Sequence, residues 1–171
     1  MAKNDVERVT DEKIAKGGVL VKLYFDVQDK DKEKLQPTLA HLVTEGLMKE
    51  PGVVYAYGSI EEPIQKEDVY LTSGMITLLV DSLKPLLGIA FKYAPAAIEV
   101  LRPEKELHLK QADIQNILMD VSELSINYSR FILEKVLKPE DVAAIKSQME
   151  NRAELGKKFL EQRKKEGEQK K

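Results

Sequence analysis

The side chains best suited to acid–base chemistry are two histidines, His41 and His108. A catalytic histidine needs an orienting carboxylate and a nucleophile, and neither histidine has such partners at a recognisable spacing. We therefore interpret both as surface or interface residues. A small enzyme with a carboxylate and a histidine at a cleft between subunits remains an alternative, and pairing of either histidine with Glu61 or Glu62 would favour it.

Two short acidic stretches, residues 61–68 and 104–108, could offer carboxylate oxygens to a hard cation. Neither has the ligand spacing and glycine of an EF-hand loop, and a solvated loop is the expected structure of both. The sequence contains no cysteine, Walker loop, dinucleotide fingerprint, nucleophile elbow or HExxH motif. We therefore predict no catalytic constellation, no metal site and no cofactor.

Aromatic side chains on predicted strands are the remaining candidates for a binding surface, and they are Tyr24, Tyr55, Tyr57 and Tyr70. Aromatic residues on an open sheet face can stack on nucleic-acid bases, as in RNA-recognition modules. Such a module carries a basic, glycine- and aromatic-rich strand, and the segment VYLTSGMITLLV at residues 69–80 has no such signature. The four tyrosines are therefore predicted to lie in a sheet face or a subunit interface.

The charge of the chain argues against a general nucleic-acid role, because the formal net charge is −2. Residues 155–171 are an exception, with seven lysines and arginines against three glutamates. Nucleic-acid binding through this basic tail is a further alternative, since the tail could touch a phosphate backbone. The enrichment in lysine and glutamate fits a hyperthermophile protein or an ordinary helix-rich one.

Hydrophobic periodicity between residues 19 and 109 predicts the order strand, helix, strand, strand, helix, strand. The predicted strands are 19–27, 53–60, 69–80 and 96–101, the last resuming at 106–109, and the helices begin at Asp31 and Asp81. Right-handed crossovers then give a ferredoxin-like βαββαβ plait of the α+β class, an antiparallel four-stranded sheet with helices on one face. In this pattern, residues 19–109 resemble small ligand-sensing domains of amino-acid-binding regulators, which implies dimerisation through sheets or strand edges.

Helical segments are predicted on both sides of this unit. Residues 1–18 form an N-terminal helix or a flexible segment, and residues 110–160 form a hairpin of two long helices separated at Pro139. Residues 161–171 are predicted to be a disordered basic tail, since they lack large apolar side chains. No stretch reaches the roughly 18 apolar residues that span a bilayer, and we expect a cytoplasmic protein.

The predicted strands carry apolar or aromatic side chains on both faces, as Leu20 and Tyr24 show for the second face of the first strand. Such strands are usually buried on both sides, and a large exposed apolar patch is rare on a monomer. We therefore predict a homo-oligomer, most simply a symmetric dimer, while intramolecular cover by residues 110–137 remains the alternative. The resulting hypothesis is a non-enzymatic oligomeric protein that binds a protein partner or a small ligand.

Overall fold

The computed structural model describes residues 5–136, with side chains as far as residue 133. The described helices are α1 (Asp5–Ala15), α2 (Lys32–His41), α3 (Leu83–Tyr93) and α4 (Gln111–Val136). The described strands are β1 (Val19–Asp29), β2 (Val53–Ile60), β3 (Ile64–Lys66), β4 (Val69–Val80) and β5 (Ala97–Arg102). Among the described residues, those up to Ile114 belong to one compact unit, and those from Gln115 onward belong to a second.

The described strands form one antiparallel sheet in the order β2-β4-β1-β5, and β3 pairs with the beginning of β4. The α+β class and the antiparallel sheet are therefore confirmed. The predicted count of four strands is wrong, because residues 64–66 of the expected polar connection pair with residues 69–71 of β4. Glu67, with a positive φ of 55°, turns the chain between them. Residues 106–109 do not resume the last strand.

The core lies on the sheet face that packs against α2 and α3, and strand alternation explains its composition. Val21 and Leu23 of β1 pair with Leu78 and Ile76 of β4, and all four side chains are buried. The helical segments contribute a second layer of buried side chains to this cluster, namely Leu39, Leu47, Leu86 and Ile89. Burial of each such side chain stabilises the fold by about 1.5–3 kcal/mol.

The helical segment after β1 begins where the sequence predicts. Asp31 is the N-cap, and its carboxylate accepts a hydrogen bond from the Glu33 N–H at 3.1 Å. The segment continues beyond α2 as a π-helical turn, Leu42–Gly46, and a 3-10 turn, Leu47–Lys49. Leu47, where these two turns meet, is fully buried in the core.

A polar cluster of Glu50, Lys92 and Tyr93 joins the end of this helical segment to the end of α3. The Glu50 carboxylate accepts hydrogen bonds from the Lys92 ammonium and from the Tyr93 hydroxyl, the latter at 2.6 Å. The bond from Lys92, followed by that from Tyr93, lowers the pKa of the Glu50 carboxyl. The same bond raises the pKa of Lys92. The charge of Glu50 therefore stabilises the contact between the two helical segments.

The first helix expected within residues 110–160 is present as α4. The second helix expected after Pro139 lies outside the described residues, and so does the basic tail at 161–171.

Replacing Leu78 by alanine is expected to lower the free energy of unfolding by about 2–5 kcal/mol, because the substitution leaves a cavity in the core. Urea unfolding followed by circular dichroism measures the change. Met48→Ala is the matched control, since Met48 is half exposed on the 3-10 turn, and it should cost less than about 1 kcal/mol. Similar losses in the two variants would contradict the assignment of the core.

The Glu50 cluster predicts a pH-dependent contribution to stability. Because the folded-state pKa of Glu50 is lowered, its carboxylate stabilises the fold above the unfolded-state pKa, and the contribution is lost as the pH falls through the folded-state pKa. Glu50→Gln should therefore lower the free energy of unfolding at about pH 7 by about 1 kcal/mol, and the difference from wild type should shrink below about pH 4.

Chemical denaturation at the two pH values provides the measurement. Glu45→Gln is the control, because it breaks the exposed pair between Glu45 and Lys49 on a single helical segment. We expect a smaller loss in this control than in Glu50→Gln. A difference between Glu50→Gln and wild type that did not change with pH would exclude the carboxylate as its cause.

Candidate functional site

The sheet face opposite the core, here called the tyrosine face, carries the alternate side chains of the four main strands. From β2 and β4 these are Tyr55, Tyr57, Ser59, Met75, Thr77 and Leu79. From β1 and β5 they include Leu20, Lys22, Tyr24, Ala97, Glu99 and Arg102, and Asp26 follows beside Ser73 of β4. Because the strands pair in register, these side chains form rows across the sheet. One such row reads Tyr55, Leu79, Leu20 and Arg102, and the next reads Tyr57, Thr77, Lys22 and Glu99.

Helix α1 covers the first of these rows, here called the covered half of the tyrosine face. Thr10 is the buried residue of α1, and its hydroxyl lies 2.8 Å from the Tyr55 hydroxyl. Since the Thr10 hydroxyl also donates to the Val6 carbonyl at 2.7 Å, Tyr55 is the donor to Thr10. At the other edge of the same face, Arg102 of β5 donates to the Asp11 carboxylate at 2.7 Å.

The covered half is therefore closed by the N-terminal helix of the same unit. Leu79 is 0% exposed although it points away from the core. The sequence correctly indicated strands with two apolar faces, but the predicted covers were the C-terminal helices or a second subunit. The role of α1 was missed because the residue that it buries most deeply is a threonine, and its partly buried Val9 and Ile14 form only a short apolar stripe.

The next two rows form the exposed half of the tyrosine face. They are Tyr57, Thr77, Lys22 and Glu99, followed by Ser59, Met75, Tyr24 and Ala97. Tyr57 is 57% exposed and Met75 is 39% exposed. The Tyr57 ring lies 5.8 Å from the Tyr55 ring, centroid to centroid, at an interplanar angle of 33°, so the two aromatic residues connect the halves. The exposed half therefore presents aromatic and thioether surface next to a row of polar side chains.

Glu99 organises the polar side of the exposed half. Its carboxylate accepts a hydrogen bond from the Tyr24 hydroxyl at 3.0 Å and lies 3.9 Å from the Lys22 ammonium. The hydrogen bond to this carboxylate is the main reason why the pKa of Tyr24 is raised, since it favours the protonated phenol. Tyr24 is thereby held in one orientation by a contact between β1 and β5.

The structure brings three of the four candidate tyrosines together. Tyr24, Tyr55 and Tyr57 share the tyrosine face, whereas Tyr70 pairs with Asp29 and Gln65 at the far end of β4 and follows the alternation of the core face. Met75, Lys22 and Glu99 belong to the same surface and were not predicted. Strand alternation alone would have found Met75 and Lys22, but the contact with Glu99 depends on the pairing of β1 with β5.

The histidines are separate from this surface. His108 lies 3.5 Å from Glu106, and both side chains are largely exposed. His41 is exposed at the end of α2. Among the hydrogen bonds and ion pairs of the described residues, none joins either histidine to Glu61 or Glu62.

Metal-ligand clusters and membrane-spanning helices are both absent from the described residues. Residues 5–136 contain no group of three or more histidine, cysteine or carboxylate side chains that could hold a metal ion. No helix in this part of the chain combines the length and the apolar character needed to cross a membrane.

The model of the MJ0538 family matches residues 20–129, which include four strands completely, all of β1 except Val19 and most of α4, and the chain belongs to this family. No curated protein and no solved structure is detectably similar to the chain. Helix α1 precedes the matched residues, whereas the exposed half of the tyrosine face lies within them.

The contact between Tyr24 and Glu99 predicts a specific titration behaviour. In Glu99→Gln, the pKa of Tyr24 should fall towards the ordinary tyrosine value of about 10, because the carboxylate no longer opposes ionisation of the phenol. The Tyr24 signal can be isolated as the difference between the ultraviolet pH titrations of each protein and its Tyr24→Phe variant. Glu104→Gln is the control and should leave that difference unchanged. An unchanged pKa in Glu99→Gln would contradict the contact.

Proposed function

We propose that this protein is a non-enzymatic binding and assembly protein, and that two copies associate through the exposed halves of their tyrosine faces. The observation that supports this most directly is the exposure of Tyr57 and Met75 on a regular sheet face. The proposal includes a ferredoxin-like plait as the scaffold, which is supported by the strand order β2-β4-β1-β5 and by the two helices of the core layer.

The composition of the exposed half supports a protein partner. Tyrosine and methionine are enriched in the central parts of protein interfaces, where rigid or adaptable side chains fill the contact. A sheet face also offers a broad surface on which most backbone N–H and C=O groups are already hydrogen-bonded between strands. Tyr24 is already oriented by Glu99, so its ordering would cost little conformational entropy on association.

The charges of the same surface support a second copy as the partner. Lys22 and Glu99 lie side by side on neighbouring strands, so the exposed half carries one charge of each sign. A two-fold axis places the same patch on both partners, and Lys22 of one copy can then meet Glu99 of the other. A surface with a single sign of charge would repel its own copy.

Light scattering of the full chain tests this proposal. At about 100 µM, where a dimer with a micromolar dissociation constant is fully formed, wild type should have twice the chain mass of 19.4 kDa. Met75→Lys should shift the protein to the monomer mass, because it places an uncompensated charge in the interface.

Met48→Lys is the matched control, since it introduces the same charge at a half-exposed methionine on the 3-10 turn, and it should remain a dimer. A wild-type protein that stays at 19.4 kDa would refute the dimer and favour cover of the face by the chain's own C-terminal residues. A dimer that tolerates Met75→Lys would place the interface elsewhere on the molecule.

A further inference from the structure

Helix α1 contributes fewer buried residues than α2 or α3, and two of its contacts with the sheet are polar. Thr10 is its one buried residue, Val9 and Ile14 are partly buried, and Val6, the apolar residue one turn before Thr10, is about half exposed. The Asp11–Arg102 ion pair is also partly exposed, and such pairs contribute little to stability in water. The apolar side-chain surface that the helix buries is therefore mainly that of Val9 and Ile14.

The surface under α1 is largely apolar. Leu20 and Leu79 lie there, next to the ring of Tyr55. This row borders the row of Tyr57 without a break, and the rings of Tyr55 and Tyr57 are in contact. Removal of α1 would therefore turn the covered half and the exposed half into one continuous surface.

The connection between α1 and β1 consists of two glycines with different roles. Gly17 has a φ of +96°, a conformation that side chains with a Cβ rarely adopt. At Gly18 a Cβ would lie only 2.7 Å from the Val80 carbonyl oxygen and 2.8 Å from that of Lys13, so glycine allows the helix end to approach the sheet closely. These two glycines, here called the Gly17–Gly18 joint, end α1 through hydrogen bonds from the Gly17 N–H to the Ile14 carbonyl and from the Gly18 N–H to the Lys13 carbonyl.

We propose that α1 is a displaceable cover, and that its release about the Gly17–Gly18 joint extends the binding surface from the exposed half to the whole tyrosine face. This inference rests on the proposed function, because it describes the regulation of the same surface. An isolated helix of eleven residues is only marginally stable in water, so released α1 would lose much of its helical structure. Release would therefore have a free-energy cost that a partner must offset.

Amide hydrogen exchange on the full-length protein tests whether α1 opens independently of the sheet. The amides of the last turns of α1 should exchange at least about 100-fold faster than those in the centre of β1. Equal protection of α1 and β1 would overturn the proposal, because α1 would then be an integral part of the fold.

Two substitutions that loosen α1 at separate contacts test whether release exposes the surface. Asp11→Asn removes the ion pair with Arg102, and Thr10→Val removes the hydroxyl that accepts from Tyr55. Each should increase binding of the hydrophobic dye ANS and strengthen self-association by about threefold to tenfold. Glu12→Gln is the matched control, since it breaks the exposed Glu12–Lys16 pair at the end of the same helix. It should change neither dye binding nor self-association.

The outcomes separate this inference from the proposed dimer. Increased dye binding in both variants while every protein stays monomeric would support the cover and refute only the dimer. Unchanged dye binding in both variants, or self-association weakened in both, would overturn the cover even if Met75→Lys disrupts a wild-type dimer.

Discussion

The antiparallel pairing of β1 with β4 is the contact on which the rest of the structure depends. It runs without a shift from Val19 opposite Val80 to Asp29 opposite Tyr70. Because side chains alternate along a strand, this single register sends Leu23 and its partner into the core and sends Tyr24 and its partner to the other face. A slip by one residue would exchange the two faces, and burial of the core side chains opposes such a slip. The position of the tyrosine face is thus a consequence of the core.

The two faces of the sheet differ because the helices that pack on them are held by different contacts. The core layer is held by fully buried leucines and isoleucines, including Ile89 of α3. Helix α1 is held instead by a hydroxyl contact at Tyr55, an ion pair at Arg102 and the partly buried Val9 and Ile14. Burial of an apolar core side chain contributes about 1.5–3 kcal/mol, whereas a hydrogen bond or a partly exposed ion pair contributes about 1 kcal/mol. The same sheet therefore has one face that is densely buried at its centre, although Ile98 and Val100 on its β5 edge are exposed, and one face whose cover is held more weakly.

Much of the fold is predictable from local patterns. The sequence shows the alternation in β1, the cap at Asp31 and the strands with apolar side chains on both faces. Each of these features depends on residues within a few positions of one another. The short strand β3 was missed because a three-residue strand with exposed side chains has no periodic signal, and its formation depends on the neighbouring β4. Tyr70 was grouped with the other tyrosines, although the alternation along β4 assigns it to the opposite face.

The sequence by itself determined the α+β class, the order of the main elements and the presence of more apolar strand surface than one helical layer can cover. Only the tertiary structure decided which element covers that surface and which residues share it. The reason is distance along the chain: the contact of Thr10 with Tyr55 spans 45 residues, and that of Asp11 with Arg102 spans 91. Polar contacts at such separations leave no periodic pattern, so they become visible only when the sheet brings the residues together.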